Sequence, residues 1–365
     1  MPDPQSSGGL LRRAFRPVTD LLVSPAVFDF WVSRFNRLWS WQRPLARVLA
    51  RHQPGPGAVT LVLRCNRHCP RPQPGQHINL TLEIDGRRLT RCYSPHSLGN
   101  GRMAISVKAL EDGRVSRHLC ERVRVGDVLE LGTAFGQMNT SKEPHGHWLM
   151  LAAGSGITPL YSLVQALAER GMPQRLDLVH WAQRRSDLWF EQELRELAAA
   201  HPGLHVHHVT TREQVADDTI AHGRLDAALL QQLLGDVSGR PVMACGPAGF
   251  IQTAQALLEP VAASFQAEAF TPPVFAEAAD GEVDVTLARR GLTLRLPRGQ
   301  TLLAALEAAG IRPDSGCRMG ICNSCACGKR SGLTHDVHTG QTESEPVPAL
   351  RLCINRAGSD LVLDL

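Results

Sequence analysis

The chain of 365 residues carries 39 Lys and Arg against 35 Asp and Glu, for a net charge of +4, and is 43% hydrophobic and 20% charged. This is a globular composition, which excludes a disordered or collagen-like chain, and its length exceeds the roughly 250 residues that one core holds, so two or three cores are expected. Charge is concentrated at the start, where residues 1–51 hold eight Arg and three Asp; the near-neutral remainder offers no basic stripe for nucleic acid.

No apolar run reaches the roughly eighteen residues a bilayer span needs, and the opening "MPDPQSSGG" lacks signal-peptide order. A cytoplasmic location is expected. There thiols stay reduced, so the ten cysteines point to metal or redox chemistry instead of disulfides.

The first element is aromatic. Residues 26–42 gather three of the six tryptophans and three of the ten phenylalanines. Placed on a helix, Phe28, Trp31, Val32, Phe35, Leu38 and Trp39 form a single apolar face, with Asp29, Ser33, Asn36, Arg37 and Ser40 opposite or flanking. Two uses are open: a lid on the domain that follows, or, with Arg12, Arg13, Arg34 and Arg43 beside it, a surface in a lipid interface.

Next come short alternating strands (46–49, 59–63, 78–84, 103–107 and 128–131) between turn-rich stretches such as "HQPGPG" and "RPQPGQ", the pattern of a small all-β barrel. In "CNRHCP", Cys65, His68 and Cys69 lack a fourth partner for a metal and are assigned no role. "RCYS" sets Arg91, Tyr93 and Ser94 at a strand end, where they can offer one ligand a cation, an aromatic face and a hydroxyl. "DGRVSRHL" places Ser116 at a helix start, whose free N–H groups suit phosphate.

From residue 147 the pattern becomes strand then helix: "WLMLAAG" with helix 158–169, "LDLVHWA" with helix 190–200, "LHVHHVT", and "PVMACG" with helix 248–258. Such alternation implies a parallel sheet with helices on both faces. "LAAGSGITP" puts Gly154, Gly156, Thr158 and Pro159 after a strand, where glycines let a pyrophosphate approach the backbone. "CGPAGF" supplies a second loop, with Cys245, Gly246 and Pro247, at the same sheet edge. Arg184 and Arg185 end the second strand, and Thr211 and Arg212 the third, where a ribose 2′-phosphate would meet cations.

The Pro- and Ala-rich stretch 269–282 reads as a linker. Beyond it, strands "VDVTL", "LTLRL" and "DLVLDL" and helix "TLLAALEAAG" frame "CRMGICNSCACG", in which Cys317, Cys322 and Cys325 are spaced C-x4-C-x2-C, with Cys353 downstream in "RLCINR". This is the plant-type [2Fe-2S] spacing, three thiolates from one loop and one from a distant strand end. Structural zinc usually takes two C-x2-C pairs, and only one is present. Cys327 falls outside the spacing and is read as a neighbour, not a ligand.

With these motifs, residues 283–365 closely resemble plant-type ferredoxins, which implies a β-grasp fold carrying single electrons. Residues 46–270, with R-x-Y-S, G-x-x-S, G-S-G-I-T-P and C-G-P-x-G-F in order, closely resemble the ferredoxin-NADP reductase superfamily. The resemblance implies a multidomain α/β plus β architecture: an N-terminal helical extension (1–45), a flavin-binding β-barrel (46–140), a nicotinamide-binding α/β domain (141–270), the linker (271–282) and the ferredoxin domain (283–365). It implies that Arg91 holds flavin phosphate, Tyr93 stacks on the isoalloxazine and Ser94 hydrogen-bonds near N5. Val107, Lys108, Val115 and Ser116 would line the flavin phosphates, and Cys245 would lie beside the nicotinamide. Phe270, beside Glu268 in "FQAEAF", would cover the second flavin face. Pro95 and His96 depart from the family's usual small apolar pair.

"ISVK" and "GRVS" favour FAD, with FMN the alternative; Thr211 and Arg212 resemble a 2′-phosphate grip and favour NADPH, with NADH the alternative. The implied chemistry is two-electron oxidation of NADPH by flavin, then one-electron steps to the cluster and onward. The domain order resembles three-component oxygenase reductases. "LTLEIDGRRLTRCYS", the long N-terminal helix and "SDLVLDL" resemble the bacterial reductases of membrane-bound di-iron acyl-CoA desaturases. A di-iron acyl desaturase is therefore the expected acceptor, with peripheral membrane contact through residues 26–42. A soluble or Rieske-type oxygenase and a redox sensor are the alternatives.

Overall fold

In the computed structural model, residues 24–140, 145–217, 219–270, 281–337 and 339–365 are described; residues 1–23, with Arg12 and Arg13, and 271–280 of the linker lie outside them. The first helix, α1 (Pro25–Phe35), begins on a proline suited to the first turn and ends at Asn36, which turns extended with φ of −147°. The single apolar face expected over 28–39 is thus cut short. Leu38 and Trp39 fall beyond the helix; at about 100° per residue Phe28, Trp31, Val32 and Phe35 keep one face, of which only the margin with Phe28 and Val32 is part-covered. Phe28 turns toward the barrel side, its ring 5.0 Å from that of Trp41, and Asp29 accepts a 2.6 Å bond from the Trp41 N–H. Val27, Phe30, Trp31 and Phe35 are all more than half exposed.

The segment after α1 is clasped by the "CNRHCP" turn. The Asn66 amide donates to the carbonyls of Leu38 and Arg43, its oxygen accepts from the Leu45 N–H, and a His68 ring nitrogen meets the Ser40 carbonyl. That is the structural use of a turn whose cysteines and histidine suggest metal.

Seven strands follow: β1 (Leu45–His52), β2 (Ala58–Cys65), β3 (His77–Ile84), β4 (Arg87–Tyr93), β5 (Pro95–Ser97), β6 (Arg102–Lys108) and, after helix α2 (Arg114–Glu121), β7 (Val128–Phe135). They pair antiparallel in the order β4-β3-β7-β1-β2-β6-β5. Alternate residues such as Val48, Leu61, Leu63, Ile78, Leu80, Ile105 and Leu131 fill the core.

The second sheet is built from β8 (His147–Ala153), helix α3 (Ile157–Arg170), β9 (Arg175–Ala182), α4 (Glu191–Ala200), β10 (Leu204–Thr210), β11 (Ile220–His222), α5 (Ala227–Leu234), β12 (Pro241–Gly246), α6 (Ala248–Leu258) and β13 (Ser264–Ala269). All six strands run parallel in the order β11-β10-β9-β8-β12-β13. Chain order reverses between β8 and β12, the crevice where open α/β sheets bind ligands. Near the opposite edge Asp177 is fully buried and takes bonds from Arg175, Arg240 and His207. Burial disfavours its charge, yet hydrogen bonds from His207 and Arg175 hold its carboxyl well below the usual carboxylate range.

Barrel and parallel sheet lock together. Lys108 bonds Asp187 at 2.8 Å, and a Cβ on Gly55 would sit 2.5 Å from the Ser186 carbonyl oxygen. His96 fills the junction: Tyr161 and Phe190 stack at 4.1 Å, and the imidazole meets each edge-on at 5.2 and 5.5 Å. The departure from the family's small apolar pair is therefore a junction residue.

The third unit comprises β14 (Glu282–Leu287), β15 (Leu292–Pro297), α7 (Leu302–Ala308), β16 (Ala326–Ser331), β17 (Thr334–Asp336), β18 (Thr342–Glu343), β19 (Val347–Arg351), β20 (Asn355–Ala357) and β21 (Leu361–Leu363). The mixed sheet β15-β14-β21-β16-β19 has α7 packed on its core. Cys327 lies buried in this core on β16.

Candidate functional site

Strand β4 carries the R-C-Y-S motif. Pairing Arg91 with Leu80 and Tyr93 with Ile78, it sends both side chains to one face and Cys92 to the other. Arg91 is part-buried and donates to its neighbour's carbonyl, Thr90 O, at 2.7 Å. Burial and the nearby Arg318 guanidinium lower its pKa. Burial raises the Tyr93 phenol, which stays neutral.

Helix α2 packs against β4. Its N–H groups at Arg114, Val115 and Ser116 precede the first intrahelical bond, Arg117 N–H to Gly113 O. Ser116 Oγ accepts from Leu110 N–H and donates to Gly113 O, shaping this turn. Arg91 and these N–H groups fit a phosphate. Val107 and Val115 are buried beside them, whereas Lys108 is held by Asp187.

Ser94 is buried and belongs to a chain that sequence reading does not reveal. Its Oγ lies 2.8 Å from His77 Nδ1, and His77 Nε2 hydrogen-bonds the Glu268 carboxylate. With Nε2–H donating to Glu268, His77 Nδ1 accepts the Ser94 O–H, which leaves the serine lone pairs for a ligand N–H. The His77 ring is packed by Phe135 and Phe270, both centroids at 5.8 Å. The one available signal was a histidine opening a strand in "PGQHINL"; its partners lie 17 and 191 residues away.

At the sheet crevice the two glycine loops touch. A Cβ on Gly156 would stand 2.1 Å from the Cys245 carbonyl oxygen, so only glycine fits. Gly154, at φ of +56°, is held by His180 Nε2 on its carbonyl at 3.2 Å. Thr158 Oγ1 donates to Ser155 O in the first turn of α3, and Pro247 precedes α6. The Cys245 thiol is fully buried against Met138 Sδ at 3.3 Å, and burial pushes its pKa up, so it stays protonated.

A cavity of about 660 Å³ beside the ends of β9 and β10 is lined by Arg184, Arg185, Ser186, Glu191 and Glu213 among others. Arg185 is engaged there, its guanidinium on Asp217 and Glu191 and its N–H on Glu213. Thr211 and Arg212 do not line this cavity; their N–H groups bond Ala182 and Gln183 and tie the two strand ends together.

In the third unit the four cysteines converge as two pairs, Cys317 with Cys322 and Cys325 with Cys353. Among the described residues no three ligand side chains gather as for a single metal ion; two thiolates for each of two irons is what a [2Fe-2S] cluster takes. The N–H groups of Met319, Ile321 and Cys322 point to Cys317 Sγ, that of Cys317 to Cys322 Sγ, and that of Gly320 to Cys353 Sγ, at 3.1 to 3.4 Å. Gly316 and Gly320 leave no room for a Cβ. The loop fits the cluster, with backbone donors stabilising negative sulfur. It also packs on β4: Cys317 lies beside Cys92, and Arg318, paired with Glu307, beside Arg91.

These features define a flavin- and nicotinamide-binding oxidoreductase with its own iron–sulfur domain. Family models agree: "Oxidoreductase FAD-binding domain" matches residues 60–140, "Oxidoreductase NAD-binding domain" 150–256 and "2Fe-2S iron-sulfur cluster binding domain" 285–354. The chain belongs to the ferredoxin-NADP reductase-type oxidoreductases that carry a C-terminal [2Fe-2S] domain. It is 33% identical over 360 residues to an NADPH oxidoreductase of Mycobacterium tuberculosis, covering 96% of this chain and 92% of that one. The ferredoxin reductase component of 3-ketosteroid-9-alpha-monooxygenase from the same species is 33% identical over 316 residues, 79% of this chain and 84% of that one. The glycine betaine monooxygenase reductase subunit of Chromohalobacter salexigens is 29% identical over 303 residues, 75% of this chain and 81% of its own length. In fold the chain is similar to phthalate dioxygenase reductase, with a TM-score of 0.60 at 21% identity over 88% of this chain and 97% of that one. It uses FAD, NAD(P)H and a [2Fe-2S] cluster.

Proposed function

We propose that this reductase oxidises NADPH and serves as the electron-supplying component of a two- or three-part oxygenase system. FAD, when bound, takes two electrons from the nicotinamide and yields them singly to the cluster. The observation that carries the reading is the packing of the cluster loop on β4, with Cys317 beside Cys92 and so one residue from Tyr93.

In this proposal Arg91 and the α2 N-terminus hold the flavin phosphates, lined by Val107, Lys108, Val115 and Ser116. Tyr93 and Phe270 cover the two flavin faces. Ser94 meets the flavin near N5, and the Ser94–His77–Glu268 chain moves a proton between that atom and the outer edge of the site. Gly154, Gly156, Thr158, Gly246 and Pro247 form the pyrophosphate cradle. Cys245 packs beneath the nicotinamide as a neutral wall, and Cys317, Cys322, Cys325 and Cys353 bind the cluster. Arg184 grips the 2′-phosphate at the cavity, while Thr211 and Arg212, which do not line it, act by tying the ends of β9 and β10 together. The units would divide at 45, 140, 270 and 282, as the motifs suggest.

The names of the relatives support an oxygenase as acceptor. A second reading, a membrane-held di-iron acyl desaturase, is favoured by one specific observation, the open aromatic side of α1. Anaerobic rapid mixing with NADPH tests the core proposal: flavin should bleach first and the cluster signal follow, whereas Cys353→Ser should stop after flavin. A cluster left oxidised in the wild-type protein sinks it. Arg184→Glu should lower kcat/KM for NADPH about tenfold or more with little change for NADH, a loss of one charge-assisted contact; equal effects on both would remove Arg184 from the 2′-phosphate site.

A further inference from the structure

We infer that the outward side of α1 is a lipid-docking surface that seats the reductase on an anionic bilayer. This rests on the reading of a membrane-held acceptor and deepens it. The sequence offers a choice between a lid and a docking face, and the structure gives α1 both. Phe28 and Asp29 hold Trp41 and so fix the helix, while Phe30, Trp31 and Phe35 are 54%, 61% and 83% exposed, with Trp39 beside them at 58%.

The chemistry of this face selects lipid over a protein groove. A short helix projecting an exposed aromatic cluster, with the Phe30 and Trp31 rings edge-to-face at 5.4 Å, suits a headgroup boundary, where Trp and Phe are the side chains that settle. Arg34 lies on the same side, its guanidinium 5.1 Å over the Phe30 ring, and Arg37 is exposed nearby, whereas Arg43 is paired with Glu130. Between residues 24 and 44 the lone acidic residue, Asp29, is turned inward onto Trp41. Exposed apolar rings with Arg34 and Arg37 beside them, and no acid of the 24–44 segment turned outward, match an anionic headgroup layer.

The test floats the intact holoprotein with vesicles of phosphatidylcholine alone or mixed with phosphatidylglycerol, at low and high salt. Binding to the mixed vesicles, weakened by salt, is expected. Trp31→Ser with Phe35→Ser should reduce partitioning at least about tenfold while leaving NADPH-dependent ferricyanide reduction unchanged. Val27→Ala should reduce it less. Absence of flotation with either vesicle, or equal flotation of the double variant, overturns the inference. So does a concentration-dependent dimer that the double variant abolishes without any vesicle binding, because the face would then be covered by a second copy. Ferricyanide reduction reports on the reductase reading separately, so failure of one does not disguise failure of the other.

Discussion

His96 ties acid stability to the junction between barrel and parallel sheet. Its ring is buried against Tyr161 and Phe190, and burial lowers its pKa from 6.5 to about 4. A histidine that folds neutral binds fewer protons than its unfolded counterpart between those two values, so stability falls as pH drops through that window and is unaffected above it. At about 1.4 kcal/mol per pH unit, going from pH 7.5 to pH 5 should cost about 2 kcal/mol through this one group. His96→Phe keeps an aromatic ring at the junction and cannot titrate. Its packing cost is the same at both pH values and cancels when each protein is compared with itself. The assay is urea unfolding followed by tryptophan fluorescence at pH 7.5 and 5, for wild type and variant. The variant should lose about 2 kcal/mol less between the two conditions. Equal losses would mean that His96 is hydrated or already charged in the folded protein, and the junction argument would fail.

Two further outcomes follow from buried geometry. Gly320→Ala must place a Cβ at φ of +75° and 2.6 Å from Ile354, at a cost of about 2–4 kcal/mol; cluster content by visible absorbance should fall, and Ile354→Val should restore part of it, whereas full occupancy in the single variant would contradict the close fit. Asp177→Asn leaves Arg175, Arg240 and His207 facing a neutral group and should cost about 3 kcal/mol, seen as a lower melting temperature with an unchanged KM for NADPH. Because the Asp177 carboxyl is held below its ordinary range, its contribution is present at neutral pH and lost as pH falls below about 4; a variant with the wild-type acid profile would refute it.

What could be read in advance was what lies close along the chain. The cysteine spacing, the G-S-G loop and the strand-to-helix rhythm of the parallel sheet are local patterns, and helix 248–258 matches α6. Helix α5 was not anticipated, although Asp226 capping the Leu229 N–H is a local signal for it. The polar strand β4 hid its pattern because it begins exposed and is at most part-buried along its length, so no face of it alternates into a core. His77 was invisible for another reason: its meaning comes from Ser94 and Glu268, which β4 and β13 bring to it only after both sheets have formed. The aromatic segment misled because period alone cannot tell which margin of an apolar face is covered, and Asn36 ends the helix before Leu38 and Trp39 can join it.

The lock between barrel and parallel sheet also limits how this reductase can be recombined. Gly55 sits against Ser186, Lys108 against Asp187 and His96 against Tyr161 and Phe190, so each contact pairs one residue before position 140 with one after it. A chimera that grafts a foreign nicotinamide module after the barrel would inherit half of every pair. Exchange of cofactor preference between relatives is therefore better done in the loop after β10, which leaves that seam intact, than by swapping whole modules or the loop after β9, which itself carries Ser186, Asp187 and Phe190.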